Sequence, residues 1–339
     1  MEDYKATPLL KTYHTGSLEN LSFLVTGGAG FIGSNIVEYL LKHGAGKVRV
    51  LDNFSTGSVG NLEDFRHLPN LEIVDGDIRD YQSCVDAVKG IDYISHQAAL
   101  GSVPRSINDP LSTNAVNISG FLNILQAAKE EGVKKMIYAA SSSTYGDSPD
   151  LPKREDRIGK PLSPYAITKY VNELYADVFS SIYNFHTIGL RYFNVFGPRQ
   201  SPTGAYAAVV PLFIQSAMNK VPPVINGDGL TSRDFTFVGN AVQANIRALF
   251  AADINRHEVI NIACGAQTTL NELWAQICSL TGTDLVPEYR PERKGDVKYS
   301  LADVSKAGSL IGYTPEFSTA EGLKIAVEWY KEFSAIQQH

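Results

Sequence analysis

The chain has 339 residues, 44% hydrophobic and 19% charged, with a formal net charge of −6 and no basic block. That length buries a large core and leaves room for one large α/β unit plus a smaller lobe, while the charge balance argues against nucleic acid as a partner. No run approaches the ~20 apolar residues that cross a bilayer, so no membrane partner is expected, and Cys84, Cys264 and Cys278 match neither a disulfide framework nor a metal spacing.

Residues 1–20 mix Lys5, Lys11, His14 and Glu19 with few apolar residues. They lack the hydrophobic segment of a secretion signal and read as a polar N-terminal extension of a cytoplasmic protein. Leu21 to Val25 is an apolar run, VTGGAGFIGSN follows from Val25 to Asn35, and Ile32, Ile36, Val37, Leu40 and Leu41 share one helical face. The pattern is strand, glycine turn, helix. Gly28, Gly30 and Gly33 satisfy G-x-G-x-x-G, and Gly27, Gly30 and Gly33 satisfy G-x-x-G-x-x-G. Either register puts glycine where a side chain would block a pyrophosphate, with backbone N–H groups and the positive helix end facing the phosphates. A second apolar run, Val48 to Leu51, ends in Asp52, nineteen residues past Gly33, where a carboxylate would accept from ribose hydroxyls. A 2′-phosphate would meet Asp52 as a like charge and Asn53 adds no positive charge, so the pattern favours NAD over NADP.

The loop NFSTGSVGN, with Asn53, Ser55 and Gly57, is either a plain surface loop or the lining of an adenosine site. Leu71 to Val74 predicts the next strand, and Asp77 just beyond it is either a ligand contact or a helix cap. Ile91 to Ser95 predicts a fourth strand, ending in His96-Gln97-Ala98-Ala99, where small residues would let backbone approach a cofactor; His96 reads as structural. Leu111 to Lys129 predicts a helix apolar on more than one side, as a helix meeting another subunit would be.

Met136 to Ala140 predicts a fifth strand, and Ser141, Ser142, Ser143 and Thr144 follow it. Four hydroxyls at the carboxyl end of a central strand are candidate partners for a hydroxylated substrate. After a polar loop, Ser163 and Pro164 read as N-cap and first residue of a helix that puts Tyr165 and Lys169 at i and i+4 on one face. Phe185 to Arg191 predicts a strand, beyond which Asn194 is either a satisfied core amide or a ligand contact. Past Gly197 the alternation breaks down. Helices are expected at Val209 to Met218, Val238 to Ala251, Leu270 to Leu280 and Leu323 to Phe333, a turn at Val224 to Gly229, and a last strand at Val259 to Ala263.

The expected fold is α/β, a doubly wound parallel sheet of Rossmann type with a smaller C-terminal α/β substrate-binding lobe. Residues 21–196 would form the NAD-binding domain with 236–262 returning to it, and 197–235 and 263–333 the lobe.

A phenol with a pKa near ~10 serves as a base near neutrality only after a shift of roughly three units, about 4 kcal/mol. Lys169 together with a positive nicotinamide could supply it, Ser141 would hold the substrate oxygen, and an alcohol would be oxidised to a ketone. Arg233 and Arg293 are either pyrophosphate clamps or surface partners of Asp234 and Asp296.

Taken together, TGGAGFIG, Asp52, the serine run, Tyr165-x-x-x-Lys169 and RYFNVFGPR resemble the extended short-chain dehydrogenase/reductase family from about Leu21 to the C-terminus. HQAALGSVPRS, AASSSTYGD, SPYAITKYVNELYA and INGDGLTSRDF are most similar to bacterial 4-epimerases of UDP-N-acetylhexosamines, which supply precursors of surface polysaccharide. The resemblance implies retained NAD, a catalytic trio of Ser141, Tyr165 and Lys169, a transient 4-keto sugar, and a homodimer. It also implies cofactor contacts from Phe31, Ile32, Asp77, Ile78, Gln97 and Val195. For the UDP-sugar it implies Ser102, Ser142, Asn194, Ala208, Val209, Asn226, Arg233 and Arg293. Ser300 would be a gate whose small size admits an N-acetyl group, with Ser142 and Ser143 as hydrogen-bonding partners for it. Relatives acting on UDP-glucose or on the uronic acid form are the alternatives. A dehydratase would need an acid–base pair where Ser142 and Ser143 stand, a net dehydrogenase would release reduced cofactor, and a dinucleotide sensor would not need Tyr165 and Lys169 in register.

Overall fold

Apolar runs of four to seven residues, most of them followed by a helix with an apolar face, build the first half of the molecule. In this computed structural model, which describes residues 9–203, 207–252, 254–292 and 298–336, they form β1 (Ser22–Thr26), α1 (Phe31–Lys42), β2 (Lys47–Asp52), β3 (Leu71–Asp75), α2 (Tyr81–Val88), β4 (Tyr93–His96), α3 (Val103–Asn108), α4 (Pro110–Asn114), α5 (Phe121–Glu131), β5 (Lys135–Ser141), α6 (Pro164–Tyr183) and β6 (Thr187–Tyr192). The second half is less regular: β7 (Val195–Phe196), α7 (Val209–Met218), β8 (Val224–Asn226), β9 (Ser232–Arg233), β10 (Thr236–Phe237), α8 (Val238–Phe250), β11 (Glu258–Ile262), β12 (Thr268–Thr269), α9 (Leu270–Thr281), β13 (Glu288–Arg290), α10 (Ser305–Ile311) and α11 (Thr319–Ile336).

Seven strands make one parallel sheet in the order β11-β6-β5-β4-β1-β2-β3. This is the doubly wound arrangement expected. Strand order reverses at β1, between β2 and β4, so the loops leaving β1 and β4 part and open a crevice at the carboxyl edge. Both faces are covered because side chains alternate along each strand. Phe23 and Val25 of β1 pack with α1 and α8, and Leu24 packs with α2, α5 and α6. A third apolar cluster, between α7, α9 and α11, holds Phe213, Trp274 and Leu323. Among the described residues no helix is long and apolar enough to cross a membrane.

Three segments depart from expectation. Residues 110–131 are not one α-helix, because a π-helical turn, Ala115–Gly120, separates α4 from α5. Phe121, Ile124, Leu125 and Ala128 of α5 are buried against their own sheet, so the apolar surface left exposed lies on α3, α4 and α6 instead, at Ile107, Leu111, Ile167, Leu174, Val178 and Ile182. Val224–Asn226 is a strand paired with β13, not a turn. Within the N-terminal extension Leu9, Tyr13 and Leu18 are buried, and the Tyr13 N–H donates to the Tyr39 hydroxyl of α1 at 2.8 Å.

Candidate active site

One cleft of about 1570 Å³ runs along the carboxyl edge of the sheet, between the glycine turn, the serine run, the start of α6 and the segments after β6. Its floor is the turn after β1. Gly27 has φ +66°, and a Cβ there would sit 2.6 Å from the Ala98 nitrogen. A Cβ on Gly33 would lie 2.1 Å from the Gly27 carbonyl oxygen, so only glycine lets α1 start this close to the strand. Gly30 caps α1 with no side-chain hydrogen bond. The first N–H groups of the helix are therefore left to the cleft, where an anion satisfies them.

Asp52, at the end of β2, accepts from the Ala29 N–H and the Phe54 N–H, both at 2.9 Å. Burial raises its pKa, with those two N–H groups opposing the shift. The carboxylate thus braces the glycine turn and still faces the cleft. Next to it the Asn53 amide donates to Asp77 at 2.8 Å. Asp77 is gripped by Arg79 at 2.6–3.0 Å, which together with its other hydrogen bonds pulls its pKa down to about 2. It does not cap α2, since Asp80 performs that role through the Ser83 N–H.

On the opposite wall Ser141 ends β5, and its Oγ accepts from the Ser143 N–H at 3.2 Å and the Ser143 hydroxyl at 2.9 Å. With both acceptor positions used, its own proton is left for the neighbouring phenol of Tyr165, whose pKa the serine hydroxyl lowers. Ser163 caps α6 through the Ala166 N–H and Pro164 follows it, which fixes where Tyr165 faces the cleft. One turn on, buried Lys169 donates to the Ala139 carbonyl at 2.8 Å, and its Nζ lies 6.0 Å from the Tyr165 ring centroid. Burial lowers the Lys169 pKa to about 8 and raises that of Tyr165, with the Ser141 hydrogen bond opposing. The chain by itself therefore keeps the phenol protonated near neutrality, and lysine alone does not make it a base.

Gly27, Gly30, Phe31, Ile32, Gly33, Asp52, Asn53, Ser55, Asp77, Ile78, Gln97 and Val195 all reach the cleft, as do Ser102, Ser142, Ser143, Asn194, Ala208, Arg233 and Ser300. Gly57, Val209 and Asn226 are not part of its wall. Gly57 lies under the glycine turn, where a Cβ would come within 3.0 Å of Ala29, Val209 packs into the third apolar cluster, and Asn226 is held in register with Arg290. Arg293 lies outside the described residues. Arg233 and Asp234 do not pair as surface ions. Successive side chains of an extended segment point opposite ways, so Arg233 faces the cleft and Asp234 is fully buried, accepting from the N–H groups of Cys264, Gly265 and Ala302 at 3.0–3.2 Å.

The sequence matches the NAD dependent epimerase/dehydratase family over residues 23–263. The chain belongs to that family. Its relatives include the putative UDP-glucose 4-epimerase of Methanocaldococcus jannaschii, 37% identical, covering 91% of this chain and 98% of the relative. The solved UDP-N-acetylglucosamine 4-epimerase of Methanobrevibacter ruminantium, in complex with UDP-N-acetylmuramic acid, is 41% identical with a TM-score of 0.88, covering 93% and 99% of the two chains. The Thermus thermophilus UDP-glucose 4-epimerase complex with NAD is 34% identical with a TM-score of 0.82, covering 92% and 99%. NAD is the cofactor of this epimerase/dehydratase, and the residues present fit it: a glycine turn packed too tightly for any Cβ, helix N–H groups left uncapped at the cleft, and an acid at the end of β2.

Two features of this epimerase/dehydratase carried no sequence signal. Asn117, in the π-helical turn, accepts from the Leu100 N–H at 2.8 Å and donates to the Leu100 carbonyl and to Thr168 Oγ1 at 3.2 and 3.1 Å. Thr168 in turn donates to the Tyr165 carbonyl at 2.8 Å. Asn245 of α8 donates to the Tyr192 hydroxyl at 2.6 Å and accepts from the Gln97 amide at 3.1 Å, which fixes two groups on the cleft floor from behind. Neither asparagine sits in a recognisable motif. His96 is structural, buried and paired with Thr26 at 2.8 Å.

Proposed function

We propose that this chain interconverts UDP-N-acetylglucosamine and UDP-N-acetylgalactosamine by inverting C4 of the bound sugar. The observation that carries the N-acetyl reading is the company of Ser300, Ser142 and Ser143 on one cleft: the gate position bears a small side chain, and hydroxyls are available to an amide. NAD, when bound, supplies the reversible two-electron acceptor that a redox-neutral inversion requires. Gly27, Gly30, Gly33 and Asp52 would hold it. The Tyr165 phenol, placed at the cleft by the Ser163 cap, takes and returns the proton of the 4-hydroxyl, while Ser141 orients that oxygen. Lys169 contributes positive charge from behind the ring. Arg233 meets the diphosphate, where its guanidinium matches pairs of phosphate oxygens, and Asn194, exposed to the cleft, meets the sugar. The exposed stripe Ile167, Leu174, Val178 and Ile182 along α6 supports a homodimer formed on that helix, and the reading places the enzyme in the cytoplasm.

The test is turnover by the purified protein without added NAD, with UDP-N-acetylglucosamine, UDP-glucose and UDP-N-acetylglucosaminuronic acid compared side by side by NMR. The expected product is UDP-N-acetylgalactosamine, with no lasting rise in NADH absorbance. Turnover confined to the uronic acid or to UDP-glucose, or steady release of NADH, would overturn the assignment.

A further inference from the structure

The deepest ion pair of the cleft wall lies behind the reacting groups, not among them. Arg191 on β6 and Glu173 on α6 have side chains only 3% and 6% exposed. The pair is a two-pronged fork, Nε to Oε1 at 2.9 Å and Nη2 to Oε2 at 2.8 Å. The remaining nitrogen, Nη1, donates to the Glu155 carbonyl at 3.2 Å. The guanidinium carbon of Arg191 lies over the Tyr145 ring, 4.8 Å from its centroid, and the Tyr145 hydroxyl donates to Asn261 of β11 at 2.6 Å.

These contacts join the two elements that present the reacting hydroxyls. Glu173 is one turn past Lys169 and two past Tyr165 on α6. Tyr145 closes the short turn that Ser141 begins. Arg191 is paired in register with Ala140, the residue before Ser141. The guanidinium therefore holds the end of the serine turn and the face of α6 at a fixed separation. A buried ion pair is a poor source of stability compared with apolar residues of similar volume, whereas a fork that also stacks fixes orientation in three dimensions.

We propose that Arg191 is a positioning residue for the Ser141–Tyr165 pair, setting through Glu173 and Tyr145 the distance across which the two hydroxyls meet. The proposal rests on the reading that those hydroxyls carry the proton transfer at C4.

The experiment compares the Arg191→Met/Glu173→Leu double variant and Arg191→Lys with the unaltered protein, measuring melting temperature, NAD retained on purification, KM, kcat and the pH dependence of kcat. The double variant is expected to fold and keep its NAD, with KM within about twofold and kcat lower by roughly 30-fold or more, as misplacement by about an ångström costs. The rising limb of its kcat profile should move to higher pH, because Ser141 no longer donates to the phenol. Arg191→Lys keeps the charge without fork or stacking face and should fall between the two; should the double variant not fold, this one decides alone. Wild-type kcat in a folded, NAD-bearing variant overturns the proposal, and so does a loss explained by missing NAD or by raised KM alone. Tyr165→Phe in the same assay separates the two readings: an active Tyr165→Phe removes the acid–base assignment, whereas an inactive one beside fully active Arg191 variants removes only the role given to Arg191.

Discussion

Lys169 follows Tyr165 by one helical turn, yet its hydrogen bond goes to the Ala139 carbonyl, with Nζ 6.0 Å from the phenol ring centroid. The ammonium reaches the tyrosine only at ring distance, and the protein surrounds its charge with little water. Burial has moved its pKa from 10.5 to about 8.

That shift makes the lysine a stability cost. A basic group with a depressed folded pKa penalises the folded state fully below pH ~8, and the penalty disappears as pH rises from there toward the unfolded value near ~10.5. The span corresponds to about 3 kcal/mol at most, part of which the Ala139 hydrogen bond offsets. Lys169→Met should therefore melt at a higher temperature than the wild type at pH 7, the gap should close between about pH 8 and pH 10.5, and turnover should fall by roughly a hundredfold or more. A variant less stable at pH 7 would contradict the burial argument.

Asp234 is expected to work in the opposite pH range. Burial raises its pKa to about 6, against 3.8 unperturbed. An acid with a raised folded pKa favours folding when protonated, so its contribution is present at low pH and is lost as pH rises from about 4 to about 6, by about 3 kcal/mol at most. Chemical denaturation across this window, compared between wild type and Asp234→Asn, should show that slope only in the wild type. Identical slopes would remove the carboxyl from the account.

The glycine turn tolerates no side chain at its tightest point. Gly33→Ala places a methyl 2.1 Å from the Gly27 carbonyl oxygen, and the backbone there cannot yield without moving the start of α1 away from β1. Protein purified from this variant should carry little NAD and be destabilised by about 2 kcal/mol or more. Retention of a full complement of NAD would show that the turn is not the pyrophosphate seat.

Ser300→Tyr is the direct test of the gate. Turnover of UDP-N-acetylglucosamine should drop by roughly a hundredfold or more while that of UDP-glucose is largely spared, because added bulk excludes only the larger C2 substituent. Equal losses on both sugars would mean that Ser300 does not discriminate at C2.

The parallel sheet was legible because its buried strands are short apolar runs, three of them ending at the distinctive residues Asp52, His96 and Ser141, and because Ser163-Pro164 marks a helix start on local chemistry alone. What failed depended on partners distant in the chain. Val224–Asn226 is too short to carry a periodicity and is a strand only because Glu288–Arg290 lies beside it. Arg233 and Asp234 look like a charge pair until an extended backbone sends them to opposite sides. Leu9, Tyr13 and Leu18 are sparse among polar neighbours, so their burial against α1 was invisible without the rest of the fold.

The π-helical turn at Ala115–Gly120 has a genetic consequence. A turn with one residue in excess is a place where the loss of a single codon does not break a helix but repairs it, joining α4 to α5 in ordinary register. Such a deletion would keep Phe121 and Ile124 against the sheet and swing the preceding turn by about 100° about the helix axis. Asn117 would then face away from Leu100 and Thr168, releasing the hydroxyl that bonds the Tyr165 carbonyl in a chain whose core is unaltered.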